Sequence, residues 1–346
     1  MKRPRNILII RLSAMGDVAM IVPVLKVFTK TYPEIHLTVL SRTFFKPLFE
    51  DLKNITFLEA ALDGKHKGIK GLLRLYKKIK SSNIDAVADL HNVIRSKILS
   101  RLLKFHGKKT STLDKGRKEK KSLTRKNNKT LRQLKSTHQR YADVFESFGC
   151  PINLSSFESF SKRKIDNEKI NIIFSKTKKI VGIAPFAAYK SKMYPLELME
   201  EVIVHLIKNK ELQIVLIGGG QNEIEKLNII TKKYPDVVNM AGKYKFKEEL
   251  ALISNLDLMV SMDSSNGHLA AIYGVPIVTL WGVTHPFLGF APFGQQYKNS
   301  LMVDIEKFPL IPTSVYGNKY HENYEDAMKT IAPIDVVNKV LTLMKS

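Results

Sequence analysis

The amino-acid sequence predicts an α/β protein with two domains, each built on a parallel β-sheet covered by helices. The first observation is that short apolar runs alternate with longer amphipathic stretches, which is typical of strand–helix units in a parallel sheet. The second is that this alternation stops in a polar, Ser- and Lys-rich stretch at 150–178 and restarts near 179. A chain of 346 residues also exceeds one typical domain, so we place a domain boundary inside that stretch.

In the first half of the chain, each predicted strand is a short apolar run such as NILII at 6–10. The helices between the strands are recognised by apolar residues spaced three or four apart. The stretch 71–82, for example, is apolar at positions 72, 73, 75, 76 and 79. The predicted strands are 6–10, 36–42, 55–60 and 84–90, and the predicted helices are 17–31, 71–82 and 93–105.

The second half repeats this pattern, and a proline begins its last predicted helix. The predicted strands are 179–185, 212–220, the end of 247–261 and 275–282. The predicted helices are 196–210, a helix from about 222, the start of 247–261, 267–274 and 333–345. We therefore expect domains at 1–165 and 166–325, followed by a helical segment at 326–346.

The net charge of +24 indicates an anionic partner, such as nucleic acid, a membrane surface or an acidic substrate. Half of this excess lies in one segment, 104–140, which has fourteen Lys or Arg residues and two acidic residues. We predict that this segment recruits an anionic acceptor or the inner leaflet of the membrane. A solvated loop that only aids solubility is the alternative. The single cysteine, Cys150, excludes an intramolecular disulfide and favours a reducing compartment.

The N-terminal stretch has a basic start and an apolar run, but it does not predict a secretory signal. Arg11 interrupts the apolar run after five residues, and Asp17 follows soon after. No stretch approaches the roughly 20 apolar residues that a membrane-spanning helix needs. We expect a cytoplasmic protein. If it associates with a membrane, we expect it at the inner face of the cytoplasmic membrane.

Polar motifs follow the strands of the first domain, and ligands of such sheets bind at the carboxyl ends of strands. SAMGDV (13–18) places Asp17 where the first strand turns into the first helix. This acid could be a helix cap or a reactive carboxylate. DLHNVIRSK (89–97) places Asp89, His91, Asn92 and Arg95 at another strand end.

The second domain carries three further motifs of this kind, each with a plain structural alternative. IGGG (217–220) allows close backbone approach to an anion, or is only a tight turn. DSSNGHL (263–269) opens a helix and suits a phosphate, or is an ordinary helix cap. Lys192 could neutralise a phosphate or be a surface lysine. The absence of GxGxxG argues against a nicotinamide-dependent oxidoreductase, and no spacing typical of metal ligands supports a required metal.

Six motifs in order along the chain resemble the bacterial heptosyltransferases, the ADP-heptose:lipopolysaccharide transferases of glycosyltransferase family 9. They are SAMGDV (13–18), KMYP (192–195), IGGG (217–220), MAGKYKFKEEL (240–250), DSSNGHL (263–269) and GVTHP (282–286). The resemblance implies a GT-B fold, with two facing Rossmann-like domains, a deep inter-domain cleft and a C-terminal helix (326–346) that crosses back to the first domain.

The resemblance also implies the reaction. It implies an enzyme that transfers a heptose from ADP-heptose to a lipopolysaccharide inner-core acceptor. The transfer would invert the anomeric configuration and need neither a metal ion nor a cofactor. We expect a monomer at the membrane surface. A basic nucleic-acid-binding protein without transferase activity is the alternative, suggested by the charge alone. The basic segment 104–140 has few aromatic residues for stacking, and the chain has no recognised nucleic-acid-binding motif, which argues against it.

By the same resemblance, Asp17 is the general base and Lys192 holds a diphosphate oxygen. The remaining residues implied for the donor nucleotide are Gly218, Gly219, Ala241, Gly242, Lys243, Tyr244, Asp263, Ser264, Ser265 and His268. Those predicted for the acceptor are Ser13, Gly16, His91, Asn92, Arg95, Lys120, Lys121 and Arg125. The sequence departs from the family pattern at Ser265, where glycine is usual, and at His285, where aspartate is usual.

Overall fold

The computed structural model describes residues 3–174 and 177–345, and the chain forms two compact units. Unit 1 holds the described residues up to Arg117 together with Lys135–Glu158, and unit 2 holds Lys118–Leu134 and the described residues from Ser159 onward. The boundary between the units therefore lies slightly before the expected position at 165. The segment Lys118–Leu134, which we expected in the first domain, belongs to unit 2.

Unit 1 contains a five-stranded parallel sheet with the strand order β3-β2-β1-β4-β5. In its central strand β1 the last four residues, Ile7–Ile10, are apolar and buried, which is typical of a strand covered by helices on both faces. The strands are β1 (Asn6–Ile10), β2 (His36–Ser41), β3 (Ile55–Glu59), β4 (Ala86–Asp89) and β5 (Lys109–Thr112). The helices are α1 (Met15–Thr31), α2 (Gly68–Lys80), α3 (Ile94–Phe105), α4 (Arg117–Leu123), which runs across the boundary into unit 2, and α5 (Thr137–Glu146).

Unit 2 contains a six-stranded parallel sheet with the order β11-β10-β9-β6-β7-β8. The strands are β6 (Lys179–Ala184), β7 (Leu212–Leu216), β8 (Val237–Asn239), β9 (Leu258–Met262), β10 (Ile277–Trp281) and β11 (Ser300–Met302). The helices are α6 (Glu168–Phe174), α7 (Leu196–Ile207), α8 (Gln221–Lys233), α9 (Phe246–Ser254), α10 (Ser265–Ile272) and α11 (Pro333–Lys345). The prediction of two parallel-sheet α/β domains is confirmed.

The C-terminal helix α11 packs on unit 2. Its apolar stripe, Val336, Val337, Val340 and Met344, is buried in the same core as α7 and the sheet. The helix therefore belongs to unit 2. The resemblance had implied a helix that crosses back to the first domain. No helix in the described part of the chain combines the length and the apolar character that crossing a bilayer requires.

Candidate active site

Asp17 lies in the first turn of α1, where the chain leaves the carboxyl end of β1. It is not the helix cap: the N-cap residue is Ala14, which makes no side-chain capping hydrogen bond. The Asp17 carboxylate instead forms an ion pair with the guanidinium of Arg11. Arg11 is buried, whereas 34% of the Asp17 side chain is exposed. The structure thus holds a carboxylate at a strand end with part of its surface open to solvent.

Arg11 ties this carboxylate to the sheet. Its guanidinium donates a hydrogen bond to the carbonyl oxygen of Leu90 (2.7 Å), just after β4. It also lies 6.0 Å from the ring centroid of Tyr141, whose hydroxyl donates to the carbonyl oxygen of Asp17 (3.4 Å). Burial raises the pKa of the Tyr141 phenol, so it stays a neutral donor. The sequence did not predict a role for Arg11 in the site. The only indication was a charged residue at the end of a buried strand.

The turn after β4 is fixed by the buried carboxylate of Asp89. It accepts hydrogen bonds from the backbone amides of His91 (3.0 Å) and Asn92 (2.8 Å) and from the hydroxyl of Ser96 (2.9 Å). Asn92 has a left-handed φ of 50°, and its side-chain amide donates to the carbonyl oxygen of Leu113. Asp89 therefore shapes the turn, while His91 and Asn92 are presented beyond it.

A cleft of about 590 Å³ opens at this edge of unit 1. Four of its lining residues, Ser13, His91, Asn92 and Arg95, are those that the sequence predicted for the acceptor. It is also lined by Arg42, Lys97, Arg117, Leu12, Leu62, Val93 and Ile94. Gly16 lies beside Asp17 in the first turn of α1 and is not among the lining residues. Four cationic side chains around one cleft favour an anionic ligand.

The electrostatics of this cleft agree with its lining. Burial, and then the nearby charges of Arg11, Lys115 and Arg42, lower the pKa of His91 to about 3. Burial, and then the charges of Arg11 and Arg117, lower the pKa of Lys115 as well. The side-chain oxygen of Asn92 and Nδ1 of His91 are buried without a hydrogen-bond partner among the described residues. The cleft thus has an excess of positive charge, and two buried polar atoms of its lining residues have no partner among the described residues.

The basic segment 104–140 does not form one patch, because its middle part, Lys118–Leu134, packs on unit 2. Leu123 and Leu134 form an apolar cluster with Leu288, and Lys129 donates to the carbonyl oxygens of Leu310 and Pro312. Of the predicted acceptor residues, Lys121 and Arg125 are exposed on this segment. Lys120 is buried, with Nζ 3.7 Å from the ring centroid of Phe290. The prediction that these three lie in the first domain is therefore wrong.

In unit 2, Lys192 and Asp263 form a largely buried ion pair of 2.8 Å between Nζ and Oδ2. The hydroxyl of Thr284 donates to the same carboxylate oxygen (2.8 Å). These three residues belong to three separate motifs, KMYP, DSSNGHL and GVTHP. Asp263 follows β9, and Thr284 follows β10. The structure thus brings three of the six motifs to one point at the carboxyl edge of the sheet.

The helix N-terminus that follows Asp263 has an unsatisfied polar side chain. Ser264 is the N-cap of α10 and makes no capping hydrogen bond, and its buried hydroxyl has no partner among the described residues. Ser265 begins the helix, and His268 is buried one turn later. Helix N-termini favour anions because their first amides are not bonded within the helix. A phosphate oxygen would satisfy Ser264.

The glycine turn after β7 already has an internal partner. The amide of Gly219 donates to the carboxylate of Glu223 (2.8 Å), and a Cβ on Gly218 would lie 3.1 Å from that same oxygen. Because a carboxylate repels phosphate, this turn is less suited to a diphosphate than the sequence suggested. Sequence reasoning missed Glu223.

The turn after β8 holds the residues predicted for the nucleoside. The amide of Ala241 donates to the side chain of Asn239 (2.9 Å). Gly242 has a φ of 67°, and a Cβ there would lie 2.2 Å from Cδ1 of Ile224. Lys243 is exposed, and Tyr244 is half-buried with its pKa raised by burial. Since β9, β6, β7 and β8 are neighbours, all the predicted donor residues lie along one edge of the sheet.

His285, at a departure from the family pattern, is an internal residue. Its Nδ1 accepts a hydrogen bond from the amide of Phe287 (3.1 Å). Burial, and then the charge of Lys129, lower its pKa to about 4. Cys150 is buried, and burial raises the pKa of its thiol, so it fits a structural role. Within residues 3–174 and 177–345, no three His, Cys, Asp or Glu side chains are grouped so that they could hold a metal ion.

Comparison with known proteins agrees with these features. The family model described as glycosyltransferase family 9 (heptosyltransferase) matches residues 72–313. The lipopolysaccharide core heptosyltransferase OpsX of Haemophilus influenzae is 27% identical over 84% of this chain and 82% of its own length. Lipopolysaccharide heptosyltransferase 1 of Campylobacter coli is 26% identical over 98% of both chains.

Two solved structures have the same fold. A glycosyltransferase of family 9 from Veillonella parvula superposes with a TM-score of 0.75 at 20% identity, covering 99% of this chain and 97% of that one. Escherichia coli heptosyltransferase WaaC, solved with ADP, superposes with a TM-score of 0.68 at 16% identity, covering 98% of this chain and 99% of that one. The predicted fold class is confirmed.

Proposed function

Because this chain belongs to glycosyltransferase family 9 and is a glycosyltransferase, we propose that it transfers a heptose from ADP-heptose to the inner core of a lipopolysaccharide. The names of its relatives in Haemophilus and Campylobacter support the sugar and the acceptor class. The likeness to WaaC, a heptosyltransferase solved with ADP, supports the nucleotide. We further propose that the transfer inverts the anomeric configuration and needs no metal ion.

Asp17 is the proposed general base. Arg11 holds its Oδ2, and we assign Oδ1 to the acceptor hydroxyl. The carboxylate accepts the hydroxyl proton as the acceptor oxygen attacks the anomeric carbon and the bond to the nucleoside diphosphate breaks. A single displacement of this kind inverts the anomeric centre. The ion pair holds the carboxylate in one orientation.

The acceptor is bound in the cleft of unit 1. The lining side chains Arg42, Arg95, Lys97 and Arg117 bind the carboxylates or phosphates of an inner-core sugar. His91 stays neutral beside them, with its Nε2 3.5 Å from the hydroxyl of Ser13, and offers a hydrogen bond to a sugar hydroxyl. The anionic character of the acceptor thus matches the charge of the cleft.

The observation that carries the proposal is the cluster of Lys192, Asp263 and Thr284 in unit 2. With donor bound, the Lys192 ammonium binds a diphosphate oxygen, and the N-terminus of α10 with the Ser264 hydroxyl binds another. These groups stabilise the negative charge that develops on the leaving diphosphate. Asp263 neutralises Lys192 when no donor is present.

The alternative of a nucleic-acid-binding protein is not favoured. The basic segment that suggested it is divided between the two units, and Lys120 and Lys129 make contacts inside unit 2. A surface of that charge still gives weak, salt-dependent affinity for any polyanion.

The purified protein, ADP-heptose and a defined inner-core oligosaccharide test the proposal directly. We expect ADP release and a heptosylated product with inverted anomeric configuration by NMR, in the presence and absence of EDTA. A thermal-shift series with ADP, UDP, GDP and NAD should show the largest stabilisation with ADP. A preference for UDP or GDP would reject the proposed donor, and retained configuration would reject the single displacement.

A further inference from the structure

Helix α3 of unit 1 has exposed apolar residues on the side opposite its buried stripe, where a surface helix is normally polar. Its core stripe, Ser96, Leu99, Ser100 and Leu103, is buried against the sheet. On the opposite side, Ile94 and Phe105 are 79% and 87% exposed, with half-buried Ile98 between them. These three residues are spaced by four and seven positions, so they form one ridge along the helix. Ile98 packs partly against the core of unit 1, so the two ends of this ridge, Ile94 and Phe105, are the parts that the fold leaves exposed.

Helix α2 packs beside α3 and adds to the same surface. Ile69 is 74% exposed and Leu73 is 43% exposed. They lie on the same side of α2 as Tyr76, because the three residues are spaced by four and three positions. The Tyr76 hydroxyl is 2.8 Å from Nδ1 of His106, directly after α3, so this side of α2 is turned toward α3. Ile69, Leu73, Ile94 and Phe105 therefore contribute to one surface, the α2–α3 face.

The α2–α3 face is also strongly basic. The two helices together contain nine Lys or Arg residues and no acidic residue. Within the described ranges, none of the nine forms an ion pair with an acidic side chain. They are Lys70, Arg74, Lys77, Lys78, Lys80, Arg95, Lys97, Arg101 and Lys104. Exposed aliphatic and aromatic side chains among unpaired cations are typical of surfaces that lie on anionic bilayers.

We propose that the α2–α3 face docks on an anionic phospholipid bilayer. Phe105, Ile69 and Leu73 enter the interface between headgroups and acyl chains. The cations outside the cleft lining, Lys70, Arg74, Lys77, Lys78, Lys80, Arg101 and Lys104, contact the lipid phosphates. Charge complementarity favours this partner, and exposed apolar residues favour lipid over duplex nucleic acid, whose phosphates are bound by charged and polar groups. The sequence-based assignment placed membrane recruitment in 104–140, which shares only Lys104 and Phe105 with the α2–α3 face.

Docking through this face extends the proposed function, on which this part of the inference rests. The first residues of α3, Ile94, Arg95 and Lys97, line the cleft of unit 1. A bilayer held against α3 therefore lies at the rim of the cleft. An acceptor carried on that bilayer reaches the cleft without leaving the membrane.

Vesicle sedimentation with the full chain tests the inference. The vesicles contain phosphatidylcholine alone or mixed with phosphatidylglycerol, and no donor or acceptor is present. We expect binding only to the mixed vesicles. The variant Leu73→Ser/Phe105→Ser and the variant Arg74→Glu/Arg101→Glu should each bind about tenfold more weakly. Melting temperatures of all variants exclude unfolding as the cause.

Helix α8 of unit 2 supplies matched controls, because Ile229 is 65% exposed and Lys226 and Lys232 are exposed. Ile229→Ser and Lys226→Glu/Lys232→Glu should bind vesicles like the unchanged protein. The inference is overturned if the unchanged protein does not bind mixed vesicles, or if the face variants and the controls behave alike. Binding of duplex DNA in place of vesicles, lost in the same face variants, would overturn it in favour of nucleic acid.

A transfer assay separates this inference from the proposed function. With acceptor embedded in mixed vesicles, Leu73→Ser/Phe105→Ser should transfer sugar more slowly than the unchanged protein. With a soluble, deacylated core oligosaccharide the two should be equally fast. If no heptose is transferred to either acceptor while vesicle binding depends on the face as expected, the proposed function fails and the docking surface stands.

Discussion

The guanidinium of Arg11 and the carboxylate of Asp17 form an ion pair at the carboxyl edge of the first sheet. Arg11 is buried and bonded to the loop after β4, so the pair fixes the carboxylate relative to two neighbouring strands. The sequence left two roles open for Asp17, a helix cap or a reactive group, and this geometry favours the second. Asp17 makes no helix cap, and its partly exposed carboxylate is available to a substrate hydroxyl.

Replacing Asp17 by Asn tests its role as general base. The amide keeps the shape of the side chain but cannot accept the hydroxyl proton, so kcat should fall by about 10²- to 10⁴-fold. The Kd for ADP should stay within about twofold, because Asp17 lies in unit 1 and the donor residues lie in unit 2. Steady-state kinetics and calorimetric titration with ADP measure the two quantities. Turnover close to that of the unchanged protein would remove Asp17 from the mechanism.

Replacing Lys192 by Ala tests the donor site. A hydrogen bond between charged groups contributes about 1.5–3 kcal/mol, so the Kd for ADP should rise by roughly 10- to 100-fold. The free energy of unfolding should also fall by about 1–3 kcal/mol, because Asp263 is left largely buried without its partner. Adding Asp263→Asn should restore stability and not ADP affinity.

Lys190→Ala is the matched control for that prediction, because Lys190 is exposed two residues earlier. It should change neither the affinity nor the melting temperature. Equal effects of the two single variants would show that only the general positive charge of this loop matters.

The sequence predicted those parts of the structure that depend on local pattern. The apolar run of β1 and the spaced apolar residues of α2 are such patterns. Strand β5 was missed because Lys109–Thr112 is a polar strand at the edge of the sheet, without an apolar run. The position of Lys120 depends on Phe290, 170 residues further along, and no local pattern encodes such a contact.

The residues of the candidate site were likewise predictable only in part. Strand-end motifs predicted Asp17, His91 and Lys192 because the fold class itself places strand ends together. The partners of these residues were not predictable. Arg11 had only its position at a strand end, and Glu223 had the appearance of an ordinary helix residue.

The pKa of His91, lowered to about 3, predicts a specific pH dependence of stability. The unfolded imidazole has a pKa near 6.5, so between about pH 6.5 and 3 the unfolded chain binds more protons than the folded one. Stability therefore falls as the pH is lowered through this window. Between pH 6.5 and 5, the free energy of unfolding of the unchanged protein should fall by up to about 2 kcal/mol more than that of His91→Gln. Urea unfolding at both pH values measures the difference, and equal losses in the two proteins would contradict it.

Removing positive charge from the cleft of unit 1 should weaken binding of the acceptor and leave binding of the donor unchanged. In the variant Arg42→Gln/Arg117→Gln, two of the four cationic lining residues are neutral. The KM for an anionic acceptor should rise by about tenfold, and the KM for the donor should stay within about twofold. The effect should shrink at high ionic strength, since salt screens partly exposed charges. Lys53→Gln, at an exposed lysine outside the cleft lining, is the control. An equal rise in both KM values would indicate a general change in the enzyme rather than acceptor binding.

Gly242 is required by both the conformation and the packing of the turn after β8. An alanine there would have a strained φ of 67°, and its Cβ would lie 2.2 Å from Cδ1 of Ile224. Gly242→Ala should lower the free energy of unfolding by about 1–3 kcal/mol and weaken ADP binding, because the turn must shift. Adding Ile224→Val removes that Cδ1 and should recover part of the loss, leaving the backbone strain. Gly64→Ala, outside the predicted donor residues, is the matched control, since its φ is not positive and a Cβ there meets no atom within 4 Å. A full recovery in the double variant would show that packing alone requires the glycine, and no recovery would show that the backbone conformation does.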